Sequence, residues 1–251
     1  MKQSNFTGLL FCAAMVFFLI SCGGSGSTEN ASTATTTDTA AGTTATTPVI
    51  AAPVSTIVTT PVNMMVVKHK VANFAKWLAS FEAHDSLRLA NGLHKYVIGR
   101  GLVDTNMLIV ALKADDIAKA KAFAKDPSLK MAMQKGGVTG APVLSFLIAA
   151  WQDTGTISTG IRSRTSFSVK DFDAWQKAFE TSKQERMDNG ITDRMIGHDA
   201  DDNKKISLVT AITDTAKAFA YFKSDALKKR REESGVIGTP DRFLYTIAKR
   251  Y

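Results

Sequence analysis

The sequence predicts an α+β chain made of two tandem βαββαβ units packed against each other. Three observations carry that expectation. Past residue 62 the chain matches itself, without a gap, at a shift of 98 residues. Each copy places one helical stripe of aromatic residues between extended runs. Several of those runs are apolar at every position, as strands covered on both faces are.

The repeat shows most clearly in residues that rarely agree by accident. Val71, Phe74, Trp77 and Phe81 fall on Val169, Phe172, Trp175 and Phe179. Arg88, Asn91 and Gly92 fall on Arg186, Asn189 and Gly190, and Ile98-Gly99 falls on Ile196-Gly197. Gly137-Val138-x-Gly140-x-Pro142 returns as Gly235-Val236-x-Gly238-x-Pro240.

Within the first copy an extended run opens at Val62 and continues through Val71. Phe74, Trp77, Phe81, His84 and Arg88 then recur at steps of three and four, one face of a helix. Asn73 and Asp171 suit the N-caps of this helix and its repeat. Asn91-Gly92 and Asn189-Gly190 suit the stops, because glycine enters the left-handed region freely. Two strands follow, 93–101 and 107–113, with 191–198 and 205–212 in the second copy. A helix over 116–125 comes next, then a turn begun by Asp126-Pro127, where proline fits the first helical position. The last strands are expected over 143–150 and 242–248. This order is the ferredoxin-like unit. MLIVAL and VLSFLIAA do not alternate, so helices should cover one face and the other repeat's sheet the second.

The pattern His69-x-Val71-x-x-Phe74-x-x-Trp77-x-x-x-Phe81, with the later glycine motif, resembles the dimeric α/β-barrel superfamily. That group includes antibiotic-biosynthesis monooxygenases and stress-responsive barrel proteins. The resemblance spans both repeats, 62–151 and 160–251, and implies a usual dimer fused into one chain. It implies ligands held between the sheets or in a cleft between sheet and helices. The shared residues are structural in character, so it speaks to fold rather than activity.

Four histidines are available: His69, His84, His94 and His198. Their repeat partners are Phe167, Ser182, Thr192 and Arg100, so a two-fold metal site has no basis. His69 replaces a phenylalanine and reads either as an aromatic-like packing residue or as a site residue. His84 lies on the helix stripe, as a satisfied core histidine or a cleft-lining group. These two are the candidate catalytic residues. Arg88 and Arg186 are kept by both copies in the last turn of the expected helix. They read as C-terminal cations, paired with Asp104 or Asp202, or as carboxylate-binding groups at a cleft mouth. Lys228-Lys229-Arg230-Arg231 is followed by Glu232-Glu233, which reads as a solvated helix face rather than a nucleic-acid patch. No phosphate loop, HExxH or CxxC is present, and no cofactor or metal is expected.

The N-terminus carries a separate message. Lys2 precedes an apolar run from Gly8 to Ile20 that is shorter than the ~20 residues a spanning helix needs. It ends in Leu19-Ile20-Ser21-Cys22-Gly23, which resembles the lipobox of bacterial lipoproteins. Residues 1–21 are thus expected to be a signal peptide and Cys22 the lipidated first residue, facing the periplasm on the outer membrane. Residues 22–61, rich in Thr, Ala and Ser, should be a disordered spacer of about 35 Å mean reach. The only cysteines are Cys12 and Cys22, so no disulfide is available to the repeats. The formal charge of +8 is mild and demands no acidic partner. The expected role is binding a small apolar or aromatic ligand, or a partner. The alternative is a cofactor-independent monooxygenase- or isomerase-like enzyme.

Overall fold

A computed structural model describes residues 55–251. The expected signal peptide over 1–21, the expected lipidation site Cys22 and the expected spacer up to residue 54 lie outside the described residues. A short strand β1 (Ile57–Val58) comes first among the described residues. Repeat one then runs β2 (Val62–Val71), α1 (Phe74–Ala83), α2 (Asp85–Ala90), β3 (Leu93–Gly101), β4 (Met107–Ala114), α3 (Ile117–Phe123), α4 (Pro127–Lys135) and β5 (Val138–Asp153). Repeat two follows as β6 (Ile161–Val169), α5 (Phe172–Thr181), α6 (Lys183–Asp188), β7 (Ile191–Asp199), β8 (Lys205–Ile212), α7 (Thr215–Phe222), α8 (Asp225–Glu233) and β9 (Val236–Arg250).

Each repeat has the strand order of the ferredoxin-like unit, β5-β2-β4-β3 and β9-β6-β8-β7. The two sheets join at both edges. Strand β3 pairs with β9, and β5 pairs with β7, so eight antiparallel strands close into a barrel. The two seams are related by the 98-residue shift. Leu147 opposite Asp199 matches Tyr245 opposite Gly101, and each seam slips register at the equivalent place. Closure leaves no free edge among the eight strands, which removes the usual hazard of exposed strand edges. The repeated Ile-Gly lies on these seams. A Cβ on Gly99 would run into the Tyr245 ring, and one on Gly197 would sit 2.6 Å from the Ile148 carbonyl oxygen.

The helices cover the outside of the barrel. Met65, Val67, Leu108, Val110 and Leu112 face Trp77 and Phe123 in the first repeat. Met64, Val66, Ile109, Leu147 and Ala149 face inward toward Met195 and Tyr245. Both faces of each strand are therefore covered, which accounts for the runs that do not alternate.

Local expectations at the helix ends hold. The Asn73 side chain accepts from the Lys76 N–H at 2.9 Å, and Asp171 accepts from Ala174 at 2.8 Å. Gly92 and Gly190 take φ of 66° and 68°.

Three expectations need correction. The single helix expected over 74–88 breaks at His84, and its repeat at Ser182, giving α1/α2 and α5/α6. At the break, His84 Nδ1 lies 2.6 Å from the Ser80 carbonyl and Ser182 Oγ donates to the Phe179 carbonyl at 3.0 Å. Side chains competing for helical carbonyls favour such a bend. Strands β5 and β9 start earlier than expected, because the Gly140 and Gly238 positions are absorbed as bulges at φ of 74° and 71°. Residues 57–58, assigned to the spacer, form β1 and pair with Gln152 and Asp153 of β5.

Candidate functional site

Each repeat holds a cleft between its helices and the outer face of its sheet. The first cleft, about 70 Å³, is walled by Met65, Val67, Leu112, Phe123 and Met133, with Trp77 and Phe81 along one side. His69, His84 and Arg88 all reach it. The fold thus brings three of the sequence-predicted residues to one place, by three different routes. His69 is on β2, His84 at the α1–α2 break, and Arg88 on α2.

His69 is 5% exposed and packs against Trp77 with ring centroids 5.4 Å apart. In the second repeat Phe167 and Trp175 sit 5.3 Å apart, so the packing role is shared. The difference is chemical. Neither His69 Nδ1 nor Nε2 has a hydrogen-bond partner among the described residues. Burial pushes its pKa down to about 4, so the ring is neutral at neutral pH. A neutral imidazole offers one donor and one acceptor, and both are unsatisfied here.

His84 is half-buried. Its Nδ1 must donate to the Ser80 carbonyl, because a carbonyl only accepts, so in the neutral tautomer Nε2 is the acceptor. His94 is instead exposed beside Asp115, at 3.0 Å, and His198 Nδ1 is 2.8 Å from the Asp199 carbonyl. Neither belongs to a cleft.

Arg88 and Arg186 are buried tethers. Arg88 donates to the Phe81 carbonyl at 2.6 Å and stacks on the Phe81 ring at 3.8 Å. Arg186 does the same with Phe179, at 2.6 Å and 3.4 Å. Each adds a second donor to a carbonyl in the last turn of the preceding helix, which already accepts the backbone N–H of His84 or Ser182. The expected pairing with Asp104 and Asp202 does not occur. Asp104 binds Lys70 at 2.9 Å and Asp202 binds Lys205 at 3.4 Å, because both aspartates lie in the hairpin turns at the far ends of the strands. Arg186 is held instead by Asp193 through two bonds of 2.9 and 2.6 Å, and by Ser182 at 2.9 Å. These contacts use four of its five N–H donors, and its side chain still lines the second cleft. In repeat one Lys95 occupies the place of Asp193. Arg88 therefore has only Asp85, at 3.2 Å, and its Nε is buried without a partner.

The second cleft, about 90 Å³, has the same walls but different chemistry. Ser163, Thr165 and Thr210 replace Met65, Val67 and Leu112. Arg230, Arg231 and Arg242 replace Ala132, Met133 and Leu144. Arg230 pairs with Glu185, and Arg242 stacks on Phe222 at 3.5 Å while its Nε donates to Thr165. The run 228–231 is thus not wholly a solvated face: its last two residues turn toward the cleft. Sequence reasoning missed this, although the polar-for-apolar exchanges on one helix face were a signal.

No family model matches this chain, and no curated protein matches it. Among solved structures, a candidate monooxygenase from Lactobacillus acidophilus is 13% identical, covering 75% of this chain and 94% of that one, with a TM-score of 0.46. A candidate monooxygenase from Fusobacterium nucleatum is 11% identical, covering 75% and 93%, with a TM-score of 0.49. An anthrone oxidase-like protein is 12% identical, covering 78% and 95%, with a TM-score of 0.46. Two ferredoxin-like repeats in one polypeptide, joined along both seams, build a closed eight-stranded antiparallel barrel with helices on its outside, the fold expected from the sequence.

Proposed function

We propose that this protein binds a small aromatic or apolar molecule bearing one hydroxyl, in the first cleft, while held at the cell envelope by a lipid on Cys22. The observation that carries the reading is the pair of unpartnered His69 nitrogens inside a mostly apolar slot, whose other polar lining residues are Ser80, His84 and Arg88. A buried polar group without a partner costs about 1–3 kcal/mol, and a ligand hydroxyl would recover much of that. The slot is several times what one water needs, about 10–15 Å³, and has an aromatic wall. Binding is favoured over proton abstraction at His69. A base with a pKa near 4 is poorly matched to removing a phenolic proton at neutral pH.

The binding test is calorimetric titration with phenol against toluene, which matches it in shape but lacks the hydroxyl. Phenol should bind more tightly, and His69→Phe should erase the preference. Equal binding of both compounds by the natural protein would overturn the reading.

A second reading, a cofactor-independent monooxygenase- or isomerase-like enzyme, draws on His84. His84 lines the same slot, and with Nδ1 donating to the Ser80 carbonyl the neutral ring would keep Nε2 as its acceptor. Turnover of a phenolic substrate that disappears in a folded His84→Ala variant would favour it; unchanged turnover would exclude His84 as the base. For the anchor, the run ending Leu19-Ile20-Ser21-Cys22 supports lipidation and outer-membrane attachment facing the periplasm. Radiolabelled palmitate should enter the natural chain and not a Cys22→Ala variant.

A further inference from the structure

The barrel encloses a third space, the lumen, of about 230 Å³, and it is larger than either helix–sheet cleft. Equivalent positions from both repeats line it. They are not chemically alike. Met64 and Val66 of β2 face inward from repeat one, and their equivalents on β6 are Arg162 and Arg164. Tyr96 and Gln152 correspond to Arg194 and Arg250. The repeat-one wall is thus mostly apolar, though it includes Lys113 and Asp153, and the repeat-two wall carries four arginines beside Met195, Val209 and Ile247.

Those cations are short of partners. Asp153 is the carboxylate among the lumen's lining residues, and it is engaged by Arg194 at 3.0 Å, by Thr56 and by the Gly155 N–H. Arg162, Arg164 and Arg250 form no ion pair among the described residues. Arg162 is 3% exposed and donates to the Thr159 and Ile161 carbonyls, both through one nitrogen. Arg164 Nε donates to Ser207 at 3.0 Å. Asp241, whose field reaches Arg164, is engaged with Lys68 at 3.5 Å. Burial, together with the neighbouring Arg250 and Arg194, holds the Arg162 pKa down to about 10, although the Tyr245 phenol opposes this; the group still carries its charge at neutral pH. Uncompensated buried guanidinium groups are unfavourable unless something anionic joins them. The space borders a hollow at the surface. Arg162, Ile247 and Arg250 line both the lumen and a surface hollow along the connector 154–160.

We infer that the lumen is a second binding site, distinct from the helix–sheet clefts, for a small amphiphilic organic acid. Its carboxylate lies against Arg162, Arg164 and Arg250, and its apolar body against Met64, Val66 and Ile109. A simple inorganic anion would satisfy only the cationic wall, and a neutral hydrocarbon only the apolar one.

The test uses the full chain and three probes at constant ionic strength: phenylacetate, its neutral amide phenylacetamide, and inorganic phosphate. Calorimetry should show phenylacetate binding, with the amide and phosphate each at least about tenfold weaker, the scale of one charge-assisted hydrogen bond. Phenylacetate should also raise the melting temperature. Arg164→Gln and Arg250→Gln should each weaken phenylacetate binding several-fold. Arg250 is exposed at the mouth, so its variant stays informative even where Arg164→Gln fails to fold. His69→Phe should leave phenylacetate binding unchanged, which separates this site from the first cleft. Equal binding of the amide or of phosphate would overturn the inference. So would absence of binding at millimolar phenylacetate, or loss of binding in His69→Phe.

Discussion

His69→Phe is the most informative single change, because the molecule already contains its outcome at Phe167. In the folded protein the His69 pKa is pushed by burial to about 4, against 6.5 for an unfolded histidine. Above pH 6.5 the ring is neutral in both states and contributes no pH dependence. As pH falls below 6.5, the unfolded chain takes up a proton that the folded one refuses, so stability drops until pH reaches about 4 and then levels off. At about 1.4 kcal/mol per pH unit, the wild-type loss from this group is roughly 1.4 kcal/mol at pH 5.5 and roughly 2.5 kcal/mol at pH 4.5. Phenylalanine removes that loss. It also removes two unpartnered buried nitrogens, for a gain of about 1–3 kcal/mol at neutral pH. The ring has room, as the nearly equal separations in the His69–Trp77 and Phe167–Trp175 pairs show. Urea unfolding of both proteins at neutral pH and at about pH 4.5 provides the assay. The gap between variant and wild type should widen by roughly 2.5 kcal/mol on acidification. The other histidines and all carboxylates are common to both proteins and cancel in the difference. A gap that stays constant with pH would show that His69 is hydrated and titrates normally, and the dry-slot argument would fall with it.

Other substitutions probe the frame around the site. Asp193→Ala strands the buried Arg186 guanidinium and should destabilise the protein by about 3–5 kcal/mol. Asp85→Ala beside Arg88 should cost clearly less, since that carboxylate is a third exposed; chemical denaturation of the two variants compares them. Gly197→Ala drives a methyl group against the Ile148 carbonyl at the β5–β7 seam, where backbone cannot step aside. It should lower the melting temperature and speed hydrogen exchange along that seam before the rest of the barrel; uniform exchange would refute local opening. Burial works against the Glu82 carboxylate, but hydrogen bonds from Lys249, Lys95 and Tyr251 hold its pKa at about 2. Stability from this cluster is present above the unfolded value of 4.5 and is lost as pH falls toward 2. Glu82→Gln should therefore flatten that limb of an acid titration, and an unaltered limb would count against the cluster.

By itself the sequence determined what depends on neighbours along the chain. The repeat follows from the self-match at 98 residues, and the helix stripes at Phe74/Trp77/Phe81 and Phe172/Trp175/Phe179, the Asn73 and Asp171 caps and the Asn-Gly stops follow from spacings within a few helical turns. It also brought His69 and His84 forward as site candidates, because each breaks an apolar pattern. It did not reveal the partner of Arg186, since Asp193 lies on another element and Lys95 stands at the matching place in repeat one. Only the tertiary structure decided which side chains face the lumen. When both faces of a strand are covered, the two-residue alternation that distinguishes inside from outside is lost, and Arg162, Arg164 and Arg194 read simply as charges on strands. The direction of each is set by the register of barrel closure, a contact between residues about 50 to 150 positions apart in the chain.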